Sequence, residues 1–183
     1  SFSPGPNTTL STALAANGGL RHAMRFVWAV PVGWCLLLLL CAAGVGGLVV
    51  AVPALRGGIK AVGVAYLLWL AWKLSGSATL GQAAGDKLQI SFRQGVALQF
   101  VNIKAWLLAL TIIAGWVAGH PDAQQRMAIV SPVMLFFAFA SNLFYALVGA
   151  VLRSWLAQGK RLLWFNRCMA GILVLTAAWM LKI

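Results

Sequence analysis

The chain has 183 residues, of which 62% are hydrophobic and 9% are charged, and its formal net charge is +12. Soluble domains carry roughly 25% charged and about 45–50% apolar residues, so this surplus of apolar side chains argues against a soluble protein and predicts a membrane protein. The basic residues lie between long apolar runs and do not cluster on one helix. This distribution is typical of membrane loops and argues against a nucleic-acid partner.

Six apolar runs are predicted to be membrane spans, because a spanning helix needs about 20 apolar residues. In chain order they are residues 7–16, 23–52, 55–73, 94–118, 127–152, and 168–181 with a few preceding residues. The first run is half a span long, and Pro31 is expected to kink the second. The main hydrophilic loop is predicted at residues 74–92. The fold class is therefore all-α, in a polytopic membrane protein.

The distribution of lysine and arginine predicts the orientation. The loops after spans one, three and five hold nine basic residues: Arg21, Arg25, Lys73, Lys87, Arg93, Arg153, Lys160, Arg161 and Arg167. The loops after spans two and four and the C-terminus hold four: Arg56, Lys60, Arg126 and Lys182. Cytoplasmic loops carry the excess of basic residues, so the first side is predicted to be cytoplasmic and both termini periplasmic.

A helix break is predicted at Pro4, Gly5 and Pro6, which cannot continue a regular helix. Broken helices form substrate sites in many transporters, because the freed backbone groups line a cavity. Asn7, Thr8 and Thr9 are then expected to cap the half-helix that follows. The alternative is a simple loop before a first helix.

Three polar residues interrupt the fourth apolar run. Gln99 and Asn102 are three apart and share a helix face, whereas Lys104 joins them only if the helix is locally unwound. A lysine within a span costs about 2.5–3.5 kcal/mol, which marks Lys104 as a functional candidate. The alternative is that its side chain extends to the membrane surface.

The fifth run contains Ser141, Asn142 and Tyr145, which are spaced to share one helix face. They could line a polar cavity. They could equally connect neighbouring helices through side-chain hydrogen bonds, and this interpretation is slightly favoured.

No pattern typical of an enzyme or a metal site is found in the sequence. Cys35, Cys41 and Cys168 form no CxxC pair and are predicted to be free thiols. The two acidic residues, Asp86 and Asp122, are assigned to loops, so no carboxylate relay is expected within the membrane. We predict neither enzymatic activity nor a metal or cofactor.

Three segments resemble the LysE/RhtB family of amino-acid exporters. Residues 4–7 (PGPN) resemble the motif of the family's first span, and residues 99–105 (QFVNIKA) resemble its FxNPKA motif. Residues 65–73 (AYLLWLAWK) are similar to its third-span pattern. The three segments occur in order, and the resemblance covers essentially the whole chain. The chain resembles the cysteine and O-acetylserine exporters of this family in particular, and other branches share these motifs.

The resemblance implies one transmembrane domain over residues 1–183, with six spans in two inverted three-helix repeats, 1–73 and 93–183, joined by the cytoplasmic loop 74–92. It implies an exporter of small amino acids or their derivatives in the bacterial inner membrane, coupled to proton antiport. Its partners would be the amino acid and the lipid bilayer, and a homo-oligomer is left open. With the residue analysis, the candidate substrate-binding residues are Pro4, Gly5, Pro6, Asn7, Gln99, Asn102, Lys104, Asn142 and Tyr145.

Two departures from the family pattern are notable. Ile103 stands where most members have proline, which weakens the expectation of a break in span four. The first span is expected to be truncated, since family members carry further residues before PGPN. A basic midplane without carboxylates favours small neutral substrates over cationic ones.

Two other hypotheses belong to different classes. A membrane electron carrier would need a reactive cysteine pair, and Cys35 and Cys41 are six residues apart, which argues against it. A structural subunit without transport activity would tolerate changes at Asn7 and Lys104.

Overall fold

A computed structural model describes residues 5–76 and 89–182, and the described chain is helical. The helices are α1 (Pro6–Gly18), α2 (Leu20–Ala42), α3 (Val45–Ala51), α4 (Pro53–Ser75), α5 (Phe92–Val101), α6 (Ile103–Ile112), α7 (Ala123–Leu156) and α8 (Arg161–Lys182). Residues Ile113–Val117 continue α6 as a short π-helical segment. The predicted all-α fold is confirmed.

Several of these helices are suited to crossing a membrane. Within the described residues, α2, α4, α7 and α8 are long and apolar enough to do so. Helices α5 and α6, with the π-helical segment, form a fifth candidate that is bent by 69°. Helix α1 has 13 residues, or about 20 Å, against a hydrocarbon core of about 30 Å. The chain is a polytopic membrane protein, and the six-span count stays a prediction.

The second predicted span is interrupted. Helix α2 continues through Pro31 but ends at Ala42, and Gly44 has a left-handed backbone with φ of 91° before α3 begins. A side chain at Gly44 would strain this turn, because L-residues rarely adopt positive φ. The turn was not predicted, because residues 23–52 form an uninterrupted apolar run. Hydropathy indicates burial in lipid, but it does not indicate whether a helix is continuous.

Several helices also extend into the predicted loops. The assignment of most basic residues to loops is wrong, because the helices include Arg21, Arg25, Arg56, Lys60, Lys73, Arg93, Arg126, Arg153, Arg161 and Arg167. A helix can continue into the headgroup region, where a basic side chain reaches water. The predicted loop 74–92 is bounded by Ser75 and Phe92, and Lys87 and Asp86 lie outside the described residues.

Helix α1 lies at the centre of the bundle, and nearly all of its side chains are buried. It packs closely on α7, where Gly149 leaves no room for a Cβ atom beside the carbonyl of Thr12. At its end, Asn17 and Asn166 of α8 exchange two amide hydrogen bonds of 2.8 and 2.9 Å. These bonds satisfy both buried amides and fix the end of α1.

The outer surface suits lipid and its interfaces. Large apolar side chains are exposed along the described helices, with Val151 77% and Trp72 74% exposed. Basic side chains lie over tryptophan rings near helix ends, as in the pairs Lys73–Trp69, Arg126–Trp116, Arg161–Trp155 and Arg167–Trp164. Tryptophan and basic residues favour the membrane–water interface.

The three cysteines are free, as predicted. Cys41 is buried, Cys35 is half-buried and Cys168 is exposed.

In the turn before α7, Asp122 accepts a 2.8 Å hydrogen bond from Arg126, and this bond holds the pKa of Asp122 below its ordinary value.

Candidate functional site

A cavity of about 110 Å³ lies where the N-termini of α1 and α6 meet. Its walls come from α1, α2, α6 and α7. The described residues lining it are Gly5, Pro6, Asn7, Thr8, Val30, Trp34, Asn102, Lys104, Ala105, Leu108, Met134, Ala138, Ser141 and Asn142. The sequence-predicted residues Gly5, Pro6, Asn7, Asn102, Lys104 and Asn142 are therefore brought together.

The start of α1 is organised by glycine and proline. Gly5 is the extended residue that precedes the helix, and Pro6 is its first residue. Proline suits this position because it has no N–H to leave unpaired. Thr8 accepts a 3.1 Å hydrogen bond from the Gly5 N–H. The predicted capping role is confirmed for Thr8 and is wrong for Asn7, which lies one residue inside the helix. Pro4 lies outside the described residues.

Asn7 is instead paired with Gln99. Asn7 Nδ2 donates to Gln99 Oε1 at 2.8 Å, and Gln99 Nε2 donates to Asn7 Oδ1 at 3.1 Å. Gln99 is fully buried and also donates to the carbonyl of Gly95. Gln99 does not line the cavity. It connects α1 to the broken helix and orients Asn7 toward the cavity.

The break in the fourth apolar run lies at Asn102. Its backbone is extended, with φ of −90° and ψ of 96°, and its Oδ1 accepts a 3.2 Å hydrogen bond from the N–H of Lys104. The 69° bend places Asn102 and Lys104 on the same cavity, although a continuous helix would separate them. The helix is therefore locally unwound at Asn102, as the sequence required for Lys104 to join Asn102.

The electrostatics of the cavity favour an anion. First-turn N–H groups of two helices lie at its wall, and a helix N-terminus carries about half a positive charge. The ammonium of Lys104 adds a full charge. Among the described cavity residues, Lys104 is the only charged one. Arrangements of this kind bind carboxylates and phosphates.

The polar residues of α7 separate into two groups. Asn142 lines the cavity and also accepts a 2.8 Å hydrogen bond from Ser11 of α1. Asn142 therefore lines a polar cavity and also connects neighbouring helices, which are the two interpretations proposed for this segment. Ser141 lines the cavity as well. Tyr145 does not line it, and its ring meets that of Phe144 edge-on at 5.8 Å.

Sequence reasoning missed several residues of the site. Ser11 is four residues after Asn7, so their shared helix face could have indicated its contact with the site. Val30, Trp34, Leu108 and Met134 supply the apolar walls. No sequence signal distinguishes these from lipid-facing residues of the same type.

A polytopic helical protein with a cavity between a broken helix and the N-terminus of a second helix is typical of secondary transporters, whose discontinuous spans direct half-helix N-termini at substrate. The site and fold define this class of membrane protein.

The chain belongs to the LysE type translocator family, whose sequence model matches residues 1–182. It is 32% identical over 177 residues to the cysteine/O-acetylserine efflux protein of Salmonella choleraesuis (strain SC-B67), covering 96% of this chain and 89% of that protein. It is also 32% identical over 176 residues to the protein of the same name from Escherichia coli (strain K12), with the same coverage. These relatives are named as efflux proteins and not as enzymes. No solved structure matches the chain.

Proposed function

We propose that this protein exports small neutral amino acids or their derivatives, such as cysteine or O-acetylserine, across the bacterial inner membrane by alternating access. The observation that carries the proposal is one cavity faced by the N-termini of α1 and α6 and by Lys104. The names of the relatives support the substrate class.

Both charged groups of an amino acid have partners in this cavity. The carboxylate would lie against the positive N-terminal ends of α1 and α6 and would accept hydrogen bonds from the Lys104 side chain. The ammonium group would donate to side-chain amide oxygens of Asn7 and Asn142, since each carbonyl oxygen has two lone pairs. The site thus offers partners for both charged groups of the zwitterion. The side chain of the substrate would contact the apolar wall of the cavity.

Cavity size and charge support the choice of small neutral substrates. A water molecule needs roughly 10–15 Å³ of such volume, so about 110 Å³ admits a solute of several non-hydrogen atoms. A cationic side chain would be repelled by Lys104 and would find no carboxylate among the described cavity residues.

The transport cycle would use two inverted repeats, residues 1–73 and 93–183, which move relative to each other around the two breaks. Proton antiport belongs to this proposal. Self-association stays a prediction.

Replacement of Lys104 by alanine tests the assignment. Cells overproducing the protein are loaded with dipeptides, and amino acids that appear in the medium are quantified. We expect selective accumulation of one or two small neutral amino acids. Lys104→Ala should abolish it, because the substrate carboxylate loses the positively charged side chain that would bind it.

The matched control is Lys182→Ala, an exposed lysine at the end of α8. It should export as the unmodified protein does, at equal abundance in the membrane. Undiminished export by Lys104→Ala would contradict the role of this lysine. Absence of any exported amino acid from correctly inserted protein would contradict the proposed function.

A further inference from the structure

The break at Asn102 lacks the usual cause of a sharp bend. Bends above about 20° are almost always found at proline, at Gly/Ser pairs, at π-bulges, or where a side chain inserts into the hydrogen-bond ladder. The junction from Val101 to Ile103 contains no proline, glycine or serine, yet the helix axis turns by 69°. Side chains must therefore supply what holds it.

Two side chains replace one backbone hydrogen bond. In a continuous helix the carbonyl of Phe100 would accept from the N–H of Lys104, four residues later. Here the N–H of Lys104 donates to Asn102 Oδ1 at 3.2 Å. The carbonyl of Phe100 accepts from the indole Nε1 of Trp106 at 2.7 Å. The N–H group and the carbonyl of the interrupted bond are therefore both satisfied by side chains, one from the break residue and one from α6.

The donor on the α6 side is well fixed. Trp106 is 4% exposed, so its ring is held by packing. The acceptor belongs to the last turn of α5, whose carbonyls lack helical donors. An unpaired carbonyl at this position would favour straightening, because a continuous helix would satisfy it again.

Helix α4 provides space for the break. A Cβ atom at Gly63 would collide with the carbonyl oxygen of Val101, the residue before Asn102. Gly63 therefore allows the displaced end of α5 to lie directly against α4. Gly58, on the same helix, has open space around it.

We propose that Trp106 is a positioning residue that holds the α5–α6 break by capping the Phe100 carbonyl, and that Gly63 accommodates the break. Together they stabilise the bend in the helix, as a proline at position 103 would. Ile103 is the first residue of α6 and follows an extended Asn102, which is the backbone setting that proline prefers. The consequence for export rests on the proposed function, whereas the geometry of the break does not.

A distance measurement tests the proposal without reference to transport. Spin labels are placed at Phe92→Cys and Ala114→Cys on the full chain, with the three native cysteines replaced by alanine. A straight helix would separate these positions by about 33 Å, and the 69° bend shortens this by roughly 6 Å. We expect the short distance in the otherwise unmodified protein.

Trp106→Phe keeps the ring and removes the donor. We expect it to raise the population at the long distance by roughly three- to tenfold, the effect of one buried hydrogen bond. Adding Ile103→Pro should restore the short distance, since proline cannot donate within a straight helix and clashes with it. Trp179→Phe, an exposed tryptophan on α8, should change nothing.

An unchanged distance in Trp106→Phe would overturn the proposal, and so would a failure of Ile103→Pro to restore it. Gly63→Ala should lengthen the distance while Gly58→Ala does not, which gives a second test should Trp106→Phe insert poorly. Export should follow the distances, falling in Trp106→Phe and recovering in the double variant. A protein that exports nothing would contradict the proposed function, while the distances would still decide the role of Trp106.

Discussion

The polar residues of the site act in pairs that join distant parts of the chain. Asn7 and Gln99 exchange two hydrogen bonds, and Ser11 and Asn142 share one. Polar side chains stand out in apolar runs because each costs free energy there unless it is paired. Sequence therefore identified Asn7, Gln99 and Asn142 as candidates, but it contained no information on which residue pairs with which.

The pairing of Asn7 with Gln99 predicts a coupling energy. Gln99→Leu should destabilise the protein by leaving the Asn7 amide without its partner. In a double-mutant cycle with Asn7→Ala, we expect about 1 kcal/mol of coupling between the two changes. Unfolding in detergent, followed by tryptophan fluorescence, measures it. Strictly additive effects would show that the two amides do not support each other.

Helix boundaries show where the sequence is informative and where it is not. The predicted break near Asn102 and Lys104 is present, although Ile103 weakened that expectation. The reason is that Trp106 caps the carbonyl of Phe100 from six residues away. Such a contact depends on the bent backbone itself, so no local pattern predicts it. The turn at Gly44 was missed because apolar residues flank it on both sides.

Close packing of α1 on α7 predicts a position-specific effect of alanine. Gly149→Ala places a methyl group against the Thr12 carbonyl, which is backbone and cannot move aside. We expect a loss of about 1–3 kcal/mol in stability, as for other overpacked cores. Apparent melting temperature in detergent is the measurement.

The control for this change is Gly171→Ala on α8, where the surroundings are open. It should leave stability unchanged or raise it by up to about 1 kcal/mol, because alanine favours helix more than glycine does. Equal effects at the two positions would mean that α1 does not pack on α7 as described.

At the scale of the whole molecule, the basic residues predict the orientation in the membrane. The turn before α7 should be periplasmic and the turn between α7 and α8 cytoplasmic. In a background without native cysteines, His120→Cys should react with a membrane-impermeant maleimide in intact spheroplasts. Gln158→Cys should react only after permeabilisation. The reverse pattern would invert the proposed topology and place the termini in the cytoplasm.

The central claim is that the cavity recognises the carboxylate of a small amino acid. The most direct measurement compares uptake of labelled cysteine and of cysteamine, its analogue without a carboxylate, into preloaded proteoliposomes under reducing conditions. We expect exchange of cysteine to exceed that of cysteamine by about tenfold or more, because charge-assisted hydrogen bonds to the carboxylate are lost. Equal exchange of the two compounds would contradict the account, since the helix N-termini and Lys104 would then have no part in recognition.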